Sequence, residues 1–167
     1  FSTENWKRPK SEINFLFQLI INYFKEELNK VISNGIKVNI IGKLNRLPKK
    51  IKIVLKDVTK KTKKNKRIIV NLAINYGSRD EIVDAFKRVK NKINIKSLSK
   101  ALYTKNMENP DILIRTGGHK RLSNFMLWQL AYTEIYFVDK LWPDFNGKDF
   151  EKITNNFKKI KRNFGSI

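Results

Sequence analysis

Apolar positions recur along this chain with two different periods, and the switches between them lay out helices and strands in turn. Lys10 to Ser33 follows Pro9 with apolar residues at helical spacing and stops at Asn34-Gly35, which predicts one long helix. Ile36 to Ile41 reads as a strand, and Pro48 to Lys63 sets Ile51, Val54, Leu55 and Val58 on one face of a second helix. Arg67 to Tyr76 reads as a central strand whose apolar density predicts burial on both faces. Asp80 to Ile93 and Leu98 to Lys105 predict helices, Asp111 to Arg115 and Glu134 to Val138 short strands, and Phe150 to Arg162 a closing helix. Helices and strands in alternation argue for an α/β fold, a largely parallel β-sheet flanked by helices. No repeat or Pro/Gly/Ser linker divides residues 1–167, so a single domain is expected.

The first helix is apolar around most of its circumference: Ile13, Phe15, Leu16, Phe17, Leu19, Ile20, Ile21, Tyr23, Phe24 and Leu28 exceed what one core face requires. Such a helix is covered on both sides or lines something apolar. Packing between the sheet and a dimer partner satisfies the first alternative.

Composition narrows the class. The densest apolar run, Ile13 to Phe24, is broken by Asn14, Gln18 and Asn22 and falls short of the roughly 20 residues a spanning helix needs. The polar, charged opening has no signal-peptide pattern, so a cytoplasmic protein is expected, or one on the cytoplasmic face of an internal membrane such as the endoplasmic reticulum. With no cysteine, disulfides and thiolate metal sites are excluded. The net charge of +21 brings nucleic acid and anionic membranes into consideration. Most of that lysine is scattered, and its one dense cluster, Lys60 to Arg67, falls between a helix and a strand, where a solvated loop is expected.

Candidate chemistry concentrates in Asp111 to Phe125, DILIRTGGHKRLSNF. Arg115 and Arg121 supply forked donors that match phosphate oxygens, and Gly117 and Gly118 allow close backbone approach. Ser123 is expected to cap a helix running from Phe125 to Ala131, whose N-terminus would add unpaired N–H groups and the positive end of its dipole. This is a diphosphate site in outline.

Three blocks extend the argument. Arg115 to Phe145 closely resembles the C-terminal block of the cis-prenyltransferases, the undecaprenyl and dehydrodolichyl diphosphate synthases. Phe1 to Pro9, FSTENWKRP, resembles the family's FSxENWxRP loop, and Asn75 to Ala85, NYGSRDEIVDA, its NYGGRxEI segment. The resemblance implies condensation of isopentenyl diphosphate with an allylic, farnesyl-type diphosphate to make long-chain polyprenyl diphosphate for dolichol or undecaprenol carriers. It also implies Mg²⁺ as cofactor and a homodimer, or a heterodimer with an accessory subunit. Peripheral membrane contact follows from a lipid product and a basic surface. By motif match Arg115, Arg121 and Ser123, with the Leu122 backbone, bind isopentenyl diphosphate, and Glu134 is a metal-binding carboxylate. Ser2, Thr3 and Glu4 contact substrate, Trp6 and Arg8 flank the allylic substrate, and Asn5 belongs to the proton-abstraction step. Asparagine is a poor base, so an orienting or relaying role suits Asn5 better. The family's first-helix counterpart walls a hydrophobic tunnel for the growing chain.

Asn75, Tyr76, Gly77 and Arg79 are expected to shape a strand-to-helix turn, with Gly77 permitting its backbone geometry. Where the family usually has glutamate, in RTGGE, this chain has His119. No DGNxRWA segment, the family's Mg²⁺-aspartate loop, occurs in residues 1–167, so the resemblance implies the C-terminal two thirds or so of a cis-prenyltransferase, inactive as it stands. A non-catalytic partner subunit and a basic nucleic-acid-binding domain are the competing readings. Retention of Asn5, Arg115, Arg121, Ser123 and Glu134 argues against the partner subunit, and nucleic-acid binding would be marked by a steep fall with salt and no competition by isopentenyl diphosphate.

Overall fold

The computed structural model of the chain describes residues 1–90 and 92–163, which fall into two compact units, Phe1–Lys105 and Asn106–Ile167. In the first unit β1 (Ile36–Ile41) and β2 (Ile68–Ala73) pair in parallel, in register from Ile36 opposite Ile68 to Ile41 opposite Ala73. Parallel pairing needs a crossover, supplied by α2 (Lys49–Thr62). The long helix α1 (Lys10–Ser33) precedes β1. Ile13, Phe17, Ile21 and Phe24 of α1 meet Ile51, Leu55 and Val58 of α2 and Val38 of β1 in one buried cluster. Each such side chain stabilises the fold by about 1.5–3 kcal/mol through burial. The outer edge of β1 is tied down by side chains: Val38 N–H donates to Thr62 Oγ1 at 3.0 Å, and Asn65 Nδ2 donates to the Ile36 carbonyl at 2.9 Å.

Beyond β2 the chain turns into α3 (Ser78–Arg88), with Asp80 and Glu81 in its first turn and Lys87 and Arg88 in its last, charges that complement the helix dipole. The short α4 (Ile95–Ser99) starts at Asn94, whose side chain accepts from Ser97 N–H while Ser97 Oγ accepts from Asn94 N–H, each at 2.9 Å. In the second unit β3 (Ile112–Arg115) pairs in parallel with β4 (Glu134–Phe137), Ile112 opposite Glu134 and Arg115 opposite Phe137. The closing helix α5 (Gly147–Phe157) is capped by Asn146, which accepts from Lys148 N–H at 3.0 Å.

The expected α/β class, with parallel strands flanked by helices, holds, and several finer expectations are corrected. Among the described residues the strands form two separate parallel pairs, one in each unit. β2 is not buried on both faces: Ile68 and Ile69 are 51% and 55% exposed. Among the described residues a second neighbour joins only the end of its run, where the Phe1 amino group donates to the Ala73 carbonyl, Tyr76 N–H to the Phe1 carbonyl and Thr3 N–H to the Tyr76 carbonyl. The third helix ends at Arg88 because Val89 turns extended. The fourth and fifth start earlier than hydrophobic spacing implies, at positions set by their Asn caps. The Phe125–Ala131 helix, with its Ser123 cap, does not form. Ser123, Asn124 and Met126 have φ of 48°, 61° and 48°, so the chain runs through successive turns instead.

Candidate functional site

In the first unit the expected substrate loop is a single 3-10 turn, Thr3–Lys7. Asn5 Oδ1 accepts the Ser2 backbone N–H at 2.7 Å, which locks the turn and occupies the amide oxygen. Phe1, Trp6 and Phe17 form an aromatic cluster with ring centroids 5.0–5.9 Å apart. That cluster anchors the turn to α1. The Trp6 indole N–H donates to Asn75 Oδ1 at 2.7 Å, and Asn75 Nδ2 donates to the Lys43 carbonyl at 2.6 Å. Asn75 is buried and sits at φ 51°, a conformation asparagine tolerates better than most residues. Gly77, by contrast, is extended at φ −151°, so the special backbone of this segment belongs to Asn75 and not to the glycine.

Thr3, Glu4 and Trp6 open on a polar cavity of about 360 Å³ shared with Lys7, Lys43, Arg46 and Asp80. Lys7, Lys43 and Arg46 share this lining with Glu4 and Asp80, and with Lys43 engaged by aspartates it is Lys7 and Arg46 that suit an anion. Arg8 does not line it; exposed, it pairs with Glu12 one turn along α1. Lys43 Nζ reaches Asp80 at 3.0 Å and Asp84 at 3.1 Å, and the Tyr103 hydroxyl donates to Asp84. Burial opposes charge on Lys43, but hydrogen bonds and charges from the two aspartates outweigh it and raise its pKa. Burial likewise works against ionised Asp84, yet the bonds from Tyr103 and Lys43 hold its carboxyl below the usual range. Tyr103 is pushed up, by burial first and by Asp84 second. Beside this network Glu81 is fully buried, accepting from Tyr76 Oη at 2.6 Å and from Tyr103 N–H at 2.8 Å.

An apolar cavity of about 420 Å³ lies in the same unit, between Leu19, Ile20, Tyr23 and Phe24 of α1, Val38, Val70 and Leu72 of the strand pair, and Ile74 just beyond it. Ile74 lines this cavity and its neighbour Asn75 the polar one. The apolar ring of α1 is therefore divided. Ile13, Phe17 and Ile21 are core, whereas Leu19 and Tyr23 stand about half exposed at the cavity.

In the second unit Arg115 ends β3 and folds the following loop around itself: its Nη1 donates to the Arg121 carbonyl and, at 2.9 Å, to Ser123 Oγ. Arg115 Nε is buried without a hydrogen-bond partner among the described residues. An orphaned guanidinium donor is costly unless something accepts from it. Gly117 and Gly118 have φ of 88° and 73°, as their turn demands, but their N–H groups are spent on the Lys140 and Val138 carbonyls at 2.8 and 3.1 Å. Neither these amides nor a helix N-terminus is available to an anion. What the loop offers is side chains: Arg121 and Ser123 are exposed, as is His119, while Leu122 is half-buried. Glu134 opens β4. Among the described residues no three His, Asp or Glu side chains cluster as a metal cage.

Sequence reasoning thus named the turn residues and the arginine loop. It missed Lys43, Asp80, Asp84 and Tyr103, for which the four-residue spacing of Asp80 and Asp84 on a helix start was the available signal. Residues 1–165 match the family described as putative undecaprenyl diphosphate synthase. Isoprenyl transferases of Oceanobacillus iheyensis and Aquifex aeolicus are 43% and 42% identical over the whole chain, which covers 70% and 74% of their lengths. A crystal structure of a probable undecaprenyl diphosphate synthase from Campylobacter jejuni superposes on 99% of the chain and 80% of its own, with a TM-score of 0.92 and 43% identity. Lavandulyl diphosphate synthase from Lavandula x intermedia, in complex with dimethylallyl diphosphate, covers 99% of this chain and 76% of its own, with a TM-score of 0.93 and 30% identity. On this match the chain belongs to the undecaprenyl diphosphate synthase family of prenyltransferases.

Proposed function

We propose that the chain works in cis-prenyl chain elongation, condensing isopentenyl diphosphate with an allylic diphosphate to lengthen a polyprenyl diphosphate. The observation that carries this reading is the presence, in one unit of a chain from this family, of a polar cavity to which Lys7 and Arg46 contribute and an apolar cavity of about 420 Å³. A polar head with a hydrocarbon tail is the ligand class that needs both.

Arg121 and Ser123 bind the isopentenyl diphosphate, and Arg115 presents them by tying the loop through the Arg121 carbonyl and Ser123 Oγ, with the Leu122 backbone between. Ser2, Thr3 and Glu4 contact substrate from the 3-10 turn, and Trp6 flanks the allylic end with its indole fixed by Asn75. Arg8 assists only after leaving Glu12. Asn5 orients substrate through Nδ2, because its oxygen is committed to Ser2 and an amide is a poor base. The departing diphosphate is the stronger base for the proton released as the new double bond forms.

Glu134 is the carboxylate assigned to Mg²⁺. This ion keeps several waters and leans on substrate phosphates, so one carboxylate meets its limited demand and no protein cage is required. When bound, it would offset the charge developing on the leaving diphosphate. The test is incorporation of labelled isopentenyl diphosphate into Z-polyprenyl product from farnesyl diphosphate by the natural protein, and its loss in Trp6→Ala and Arg121→Ala. Undiminished product from both variants would overturn the reading.

A further inference from the structure

The second helix carries a feature that prenyl transfer does not use. Lys52, Lys56, Lys60 and Lys63 follow one another at intervals of four, four and three residues, so their stems stand on one face. They fringe an apolar groove of about 700 Å³ floored by Ile40, Leu44 and Leu55. No carboxylate lines it. Among the described residues no ion pair holds Lys56, Lys60 or Lys63, whereas Lys61, on another face, is matched by Asp57 at 2.7 Å. Lys52 Nζ reaches the Asn45 carbonyl, at 3.4 Å.

A row of ammonium groups above an apolar trough is complementary to an anionic head above a hydrocarbon chain. Lysine stems cover apolar surface while their heads stay in water, as this arrangement requires. A nucleic acid would satisfy the charges and leave the trough empty, and no aromatic face lies there for a base to stack on. We propose that this face of α2 docks on a bilayer leaflet containing anionic phospholipid, with the four lysines at the phosphates and part of an acyl chain against Ile40 and Leu44. Each lysine held at an anionic leaflet strengthens binding about fivefold.

The test is co-sedimentation of the whole chain with vesicles of equal parts phosphatidylcholine and phosphatidylglycerol, and with phosphatidylcholine alone. Three variants are compared: Lys52, Lys56, Lys60 and Lys63 all changed to Gln; Lys148, Lys152, Lys158 and Lys159 all changed to Gln, which removes the same charge elsewhere; and Leu44→Ser, which removes none. Circular dichroism verifies that each is folded. The expected result is binding to the anionic vesicles only, a loss of at least about tenfold in the groove set, less than about threefold in the control set, and a measurable loss in Leu44→Ser. Equal losses in the two lysine sets would mean diffuse charge and overturn the proposal, as would unchanged binding of Leu44→Ser. Loss of duplex DNA binding in the groove set, with vesicle binding retained, would reassign the groove to nucleic acid. No prenyl substrate is present, so the outcome is separate from that of the elongation reading.

Discussion

Asn75 does three things at once: it holds φ at 51°, accepts from the Trp6 indole and donates to the Lys43 carbonyl. Asn75→Ala loses all three and should destabilise the chain by about 2–4 kcal/mol, combining unsatisfied buried groups with left-handed strain. Asn75→Gly restores the backbone freedom alone and should recover part of that loss. Urea denaturation of the two variants decides it; equal losses would mean the strain is negligible. Close by, Asp84 and its partners set a pH window. The carboxyl of Asp84 is held below its ordinary 3.8, so its contribution is present above that pH and is lost as acid protonates the folded state. Lys43 and Tyr103 are held above their ordinary 10.5 and 10.0, so theirs is complete below about pH 10 and fades as alkali is added. Tyr103→Phe should flatten both limbs of a stability profile measured by urea denaturation between about pH 2 and pH 12. A profile identical to that of the parent would contradict the network. None of this was legible beforehand, because a side-chain network across the loop after β1, α3 and the turns after α4 leaves no period in the sequence. The expectations at Asn5, Trp6 and Arg121 came from motif spacing, which survives inside one turn or loop.

Among the elements, α1 and β1 match their predicted bounds residue for residue. A long apolar period ended by Asn-Gly leaves little choice. Phe125–Ala131 was misread because its apolar residues satisfy a helical period while the backbone at Ser123, Asn124 and Met126 is left-handed, a property of tertiary context that periodicity does not encode. The two small caps, Asn94 and Asn146, were readable and passed over. Gly42 controls how β1 meets the end of β2: at φ 117° an added Cβ would lie 2.2 Å from the Ile74 carbonyl oxygen. Gly42→Ala should therefore cost about 1–3 kcal/mol in backbone strain before the clash is relieved, enough to lower the urea midpoint markedly. A midpoint equal to the parent's would mean the strand end can shift freely. On α1, Leu19→Trp fills part of the apolar cavity from a half-exposed position without disturbing the core. If that cavity holds the growing chain, the natural protein carrying this change should make shorter polyprenyl products, read by chromatography. An unchanged product length would move the hydrocarbon elsewhere.

For the molecule as a whole, a charge of +21 makes weak anion binding unavoidable, so the central claim requires that the diphosphate be held at a defined place. Diffuse attraction and a built site differ in how they answer single substitutions. A diffuse field loses nearly the same amount from any lysine or arginine, and a site loses almost everything from a few. Arg121 stands exposed in a loop tied by Arg115, whereas Lys63 lies at the end of α2 in the other unit. Calorimetric titration with isopentenyl diphosphate should show Arg121→Ala weakening binding by about 1.5–3 kcal/mol and Lys63→Ala leaving it unchanged. Equal losses from the two substitutions would contradict the assigned site.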